Sequence, residues 1–119
     1  MSKIIDTECA IHVSIVEYLR LVLPGALIWH TPNGGKRGAR EAAELKRMGV
    51  KAGVPDIAIV IDGRLYFLEV KTPKGVLSEP QEQFCVALDC HGIPWAVVRS
   101  VEDARAFLAA HSVETREAA

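Results

Sequence analysis

Long apolar runs, paired cysteines and an overall charge bias are all missing from this chain of 119 residues. The longest strongly apolar stretch, Leu21 to Trp29, is broken by Pro24 and Gly25 and falls far short of the ~20 residues that a membrane-spanning helix needs. Neither a membrane span nor a membrane partner is therefore expected. The N-terminus, Met1 to Asp6, meets an acid almost at once and has no apolar core of a signal peptide, so the cytoplasm is the expected location. Cys9, Cys85 and Cys90 form no CxxC pair and are odd in number, which argues against a disulfide framework and a four-ligand zinc site. Cys90-His91 is a single adjacent pair near a helix end and cannot build a tetrahedral site. The net charge of −1 lacks the basic footprint that phosphate binding normally leaves.

That average conceals a split. Between Lys36 and Lys51 there are six basic residues, Lys36, Arg37, Arg40, Lys46, Arg47 and Lys51, against two acids, Glu41 and Glu44. By itself such a run reads equally as a solvated helix face. Half of the residues are hydrophobic and about a quarter charged, the balance of a globular chain. At this length, residues 1–119 are expected to make a single domain with one real core.

The apolar spacing of Ile11, Ile15, Tyr18 and Val22 predicts a helix from about Asp6 to Leu23, stopped by Pro24-Gly25. Leu27 to Thr31 reads as a strand, 32–38 as a loop by composition, and Ala39 to Met48 as a second helix capped by Gly49. Two β-rich runs, 56–61 and 64–71, flank Asp62-Gly63, a hairpin signal because a two-residue primed turn requires positive φ. Both runs are almost continuously apolar, so the hairpin is expected to be covered on both faces. Ser78 to Gln81 resembles a capping box opening a helix to about Cys90. A strand at Trp95 to Arg99 and a last helix with Ala104, Phe107, Leu108 and His111 on one face complete the chain, and residues beyond Ser112 are expected to fray. This order predicts an α/β sandwich around a small mixed sheet.

The hairpin has a consequence for charge. With Asp62-Gly63 as the turn, Ile61 pairs with Arg64, Ile59 with Tyr66, and Asp56 with Glu69, so two carboxylates face each other. Like charges at paired positions, with Cβ atoms ~5 Å apart, are destabilising. Lys71 projects from the same face as Glu69 and offsets part of this. A divalent cation would offset the rest, and hard oxygen ligands suit Mg²⁺. Such an ion can stabilise charge on a phosphodiester while the lysine orients or helps deprotonate the nucleophile. The spacing fits equally well two strand-end acids reaching solvent, with Lys71 as an ordinary ion-pair partner.

Pro55-Asp56 followed by Glu69-Val70-Lys71 resembles the signature of the PD-(D/E)XK nucleases. Gly53-Val54-Pro55-Asp56, Leu68-Glu69-Val70-Lys71, Gly75-Val76-Leu77-Ser78 and Gln81 resemble the stand-alone VRR-NUC branch of that superfamily, over nearly the whole chain. The resemblance implies a restriction-endonuclease-like αβββαβ core with a four-stranded mixed sheet. It implies a Mg²⁺ or Mn²⁺ site made by Asp56, Glu69 and the Val70 carbonyl, with Lys71 as catalytic lysine, Gln81 as a helper from the next helix and Glu8 from the first. It further implies a homodimer that cuts branched, Holliday-junction-like DNA.

Several of these residues have another reading. Glu8 suits the helix dipole in a first turn, although Glu8, His12, Ile15 and Leu19 recur at helical spacing and turn it toward the apolar face. Gln81 either closes the cap on Ser78 or points inward with Phe84, Cys85 and Leu88. The loop around Asn33, Lys36 and Arg37 either merely connects or cradles phosphate. Given the metal site, Asn33, Lys36, Arg37, Arg40, Lys46, Arg47, Lys51 and Lys74 become the expected DNA-facing residues. The expected function is a metal-dependent structure-selective endodeoxyribonuclease. The alternatives are a nucleic-acid-binding module of the same fold that lacks independent catalysis or needs a partner chain, and a hydrolase of small phosphoesters.

Overall fold

The computed structural model describes residues 7–32 and 38–117. Its elements follow the order α1 (Glu8–Val22), β1 (Leu27–His30), α2 (Ala39–Arg47), β2 (Ile57–Ile61), β3 (Arg64–Val70), α3 (Glu79–Cys90), β4 (Trp95–Val98) and α4 (Val101–Ala110). The four strands form one mixed sheet in the order β1-β2-β3-β4. β1 and β2 run antiparallel, as do β2 and β3, whereas β4 lies parallel to β3 after the α3 crossover. No described helix is long and apolar enough to cross a membrane.

Local chemistry accounts for the boundaries. Thr7 caps α1 by accepting from the Ala10 amide. The turn between β2 and β3 is the primed kind, with Asp62 at φ 52° and Gly63 at φ 74°. Ser100 accepts from the Asp103 amide at the start of α4, and the Asp103 carboxylate accepts in return from the Arg99 amide. The sheet separates two apolar layers. On one side Ile57, Ile59, Tyr66, Leu68 and Val70 pack against Ile15 and Leu19 of α1 and Phe107 and Leu108 of α4. On the other, Ala58 and Phe67 meet Leu88 and Phe84 of α3. Strand alternation therefore sends Glu69 and Lys71 toward the α3 side, while Asp56 stands just before β2 at the end of the sheet.

Three expectations change. Leu19 rather than Tyr18 completes the buried stripe of α1; Tyr18 stays half-exposed beneath the Arg105 guanidinium, 5.2 Å from its ring centre. The hairpin is covered on both faces only near its open end, since Val60, Ile61 and Leu65 are half-buried and Arg64 is exposed. The chain beyond Ser112 does not fray at once. Val113 packs on the core, the Arg116 amide donates to the Val22 carbonyl at 2.7 Å, and Arg105 binds Glu117. The tail thereby satisfies a carbonyl that the end of α1 leaves without a helical partner.

Candidate active site

The β2–β3 register runs from Ile57 opposite Leu68 to Ile61 opposite Arg64, so the ladder is not slipped. One step beyond that register, at the end of the sheet, Asp56 comes close enough to Glu69 to act on it by charge and hydrogen bonding. The Asp56 carboxylate accepts from the Val70 amide at 2.9 Å, which fixes it beside its neighbour. Glu69 is 2% exposed and is the only charged residue buried among the described ones. Its Oε2 accepts from Gln81 Nε2 at 2.9 Å and lies 3.7 Å from Lys71 Nζ. Its Oε1 is buried and meets no hydrogen-bond donor.

A buried carboxylate oxygen without a donor is costly, and native interiors rarely keep one without a reason. Burial first, and then the charge and hydrogen-bonding contact of Asp56, push the Glu69 carboxyl up to about 8; Lys71 opposes the shift. The pair thus prefers to hold a proton or, in its place, a cation. An unpaired buried oxygen beside a second carboxylate fits a hard divalent ion. The reading of Asp56 and Glu69 as strand-end acids reaching solvent fails for Glu69.

Gln81 does both of the things its position permitted. Its Oε1 accepts from the Ser78 amide and its own amide donates to Ser78 Oγ, completing the capping box, while its Nε2 reaches Glu69. The cap thereby aims the side chain. Gly53 brings the strand entry against the same helix end: at φ 82°, a Cβ there would fall on the Pro80 carbonyl and the Gln81 amide. Cys85 lies on this helix too, buried, with its thiol pushed up to about 11 by burial and then by the Glu69 and Asp89 charges, which leaves it inert.

Two histidines flank the other side of Asp56. The His30 ring packs edge to face on His12, centroids 4.5 Å apart, and His30 Nδ1 donates to the Asp56 carbonyl at 2.8 Å. The Thr31 amide donates to the same carbonyl, tying β1 to the acid. His12 is half-buried, and burial first, then the charge of His30, lower its pKa. Glu8 is exposed one turn before His12, and its charge is felt by both His12 and Glu69.

The model of the VRR-NUC domain matches residues 7–102. The chain belongs to the VRR-NUC family. Among solved structures, one VRR_NUC domain protein is 28% identical, with a TM-score of 0.55 over 70% of this chain and 65% of that one. A second, a VRR_NUC domain at 20% identity, shares the fold at a TM-score of 0.60 over 87% of this chain and 95% of the other. The chain thus spans 65%, less than two thirds, of the length of the first. No protein of curated function matches. Membership makes this a nuclease-type domain.

In this VRR-NUC domain the expected DNA-facing residues are scattered in quality. Arg40, Lys46, Arg47, Lys51 and Lys74 are all exposed, while Asn33, Lys36 and Arg37 lie outside the described residues. No residue of α2 is buried, and Arg47 pairs with Glu44 at 3.5 Å across exposed side chains, a contact of little energetic weight. Arg99 was not among the expected site residues. Its Nη1 donates to the carbonyls of Thr72 and Gly75 at 2.6 and 2.7 Å and so pins the loop that follows Lys71. No local pattern marks it, because both partners lie more than twenty residues away. The two histidines carried a weak signal: His12 sits at helical spacing from Glu8, and His30 ends β1.

Proposed function

We propose that this VRR-NUC domain is a structure-selective endodeoxyribonuclease, Mg²⁺- or Mn²⁺-dependent, that works as a homodimer on branched DNA of the Holliday-junction kind. The observation that carries the reading is the unpartnered Glu69 Oε1, held next to Asp56 with Lys71 and Gln81 at its other oxygen. Asp56, Glu69 and the Val70 carbonyl would hold the cation, with Glu8 within electrostatic reach. A bound divalent ion supplies Lewis acidity toward a phosphodiester. Gln81 fixes the rotamer of Glu69. Lys71, mostly buried and drawn toward Glu69, presents its ammonium group where it can orient water and stabilise the negative charge that develops on the phosphodiester.

The basic residues of α2 and Lys74 supply phosphate contacts around the site. A second copy doubles a footprint that is small for a junction. Support for a dimer comes from β1, an edge strand on which Leu27 and Trp29 are 62% and 42% exposed. The test is incubation of the purified chain with a labelled four-way junction, a flap and a linear duplex in Mg²⁺, beside a Glu69→Ala variant. Metal-dependent incision of the junction that disappears in the variant is expected. Binding without incision would instead leave a nucleic-acid-binding module.

A further inference from the structure

We propose that His12, His30 and Asp56 form a second cation site, made for a borderline transition ion of the Zn²⁺ class rather than for Mg²⁺. One ligand atom from each of the three lies within 4.8 Å of the others. Tetrahedral ligands at ~2.1 Å from an ion stand about 3.4 Å apart, so small side-chain rotations close the set. Imidazole nitrogen suits Zn²⁺, Co²⁺ and Ni²⁺ and is a poor match for Mg²⁺.

The site is built before any ion arrives. Because a carbonyl can only accept, the bond from His30 Nδ1 to the Asp56 carbonyl places the proton on Nδ1 and leaves Nε2 of the neutral ring free to ligate. An outer hydrogen bond of this kind usually orients a metal-binding histidine and raises its basicity. His12 is held by the buried Ile11 and Ile15 on its helix, and by the edge-to-face packing of the two rings. A groove of about 280 Å³ lined by His12, Val16, Arg20, Ile28 and His30 gives access from solvent. The three protein ligands leave a tetrahedral ion one open position, as at sites that bind water or substrate. Asp56 belongs to both this group and the carboxylate pair, so the two ions would be neighbours. Neither imidazole takes part in the nuclease reading, so binding here is read from the two rings and not from cleavage.

The test uses chelator-stripped full chain and Zn²⁺ alone, followed in long-range ¹H–¹⁵N spectra of the four histidine rings. Ring nitrogens of His12 and His30 are expected to shift together, saturating at one equivalent, with His91 and His111 unchanged and no response to Mg²⁺. Unmoved His12 and His30 rings, or equal shifts at His91 and His111, would overturn the proposal. In calorimetry, His12→Gln is expected to weaken Zn²⁺ binding more than about tenfold, whereas Glu69→Gln keeps it. The reverse ranking would assign the ion to the carboxylate pair and refute the site. The ring spectra of the unaltered chain decide the matter even where a variant fails to fold.

Discussion

Replacing Glu69 by Gln should make the metal-free protein more stable in mild alkali while abolishing its chemistry. The folded chain holds a proton on Glu69 up to about 8, whereas the unfolded chain releases it near the ordinary value of 4.5. Folding stability contributed by this proton is complete below about pH 4.5 and is lost progressively as pH rises to about 8. At ~1.4 kcal/mol per pKa unit, the loss is on the order of several kcal/mol, a large share of the stability of a small protein. A glutamine resembles the protonated acid: its oxygen still accepts from Gln81, and its amide can donate toward Asp56. Stability in urea with EDTA should therefore fall from about pH 5 to pH 8.5 for the natural chain and stay nearly level for Glu69→Gln, the two curves meeting in acid. His12 acts in the opposite sense, since its lowered pKa removes stability as pH falls below about 6.5, and subtracting the two curves cancels it. Added Mg²⁺ should stabilise the natural chain above pH 8 and leave the variant unchanged. Parallel pH slopes, or equal stabilisation of both proteins by Mg²⁺, would refute the account of the pair.

Other expectations concern what surrounds the acids. Gly53→Ala should cost about 2 kcal/mol or more, because strain at positive φ adds to a collision with the start of α3. Gly49→Ala, at φ 100° but in open space, should cost only ~1 kcal/mol, and equal losses in urea unfolding would disprove the difference. Arg99→Ala removes two charge-assisted bonds, each worth ~1.5–3 kcal/mol. Junction cleavage by this variant should slow through kcat with partial rescue in Arg99→Lys, and an unchanged kcat would show that the loop does not position Lys71. The double variant Arg40→Ala/Lys46→Ala should flatten the salt dependence of junction binding by about two units of slope; an identical slope in fluorescence anisotropy would remove α2 from the DNA surface.

Local signals made much of the fold readable. Asp62-Gly63 set the turn, the turn set the β2–β3 register, and the register set Asp56 close to Glu69. Ser78 and Gln81 marked the start of α3 because a capping box is contained within four residues. Where the reading missed, the missing partner was distant in sequence: Tyr18 gave way to Leu19 once α4 packed against α1, and the tail stayed ordered because it found the Val22 carbonyl.

From its order of residues alone this chain determined the hairpin, the strand face shared by Glu69 and Lys71, and the family signature, since each depends on neighbours in sequence and on two-residue alternation. Tertiary structure decided that Glu69 is sealed from water with one oxygen unpaired, that Gln81 caps and reaches it at once, and that His12 and His30 converge on Asp56 from another helix and strand. Burial and convergence are properties of packing between segments. No periodicity within one segment encodes them.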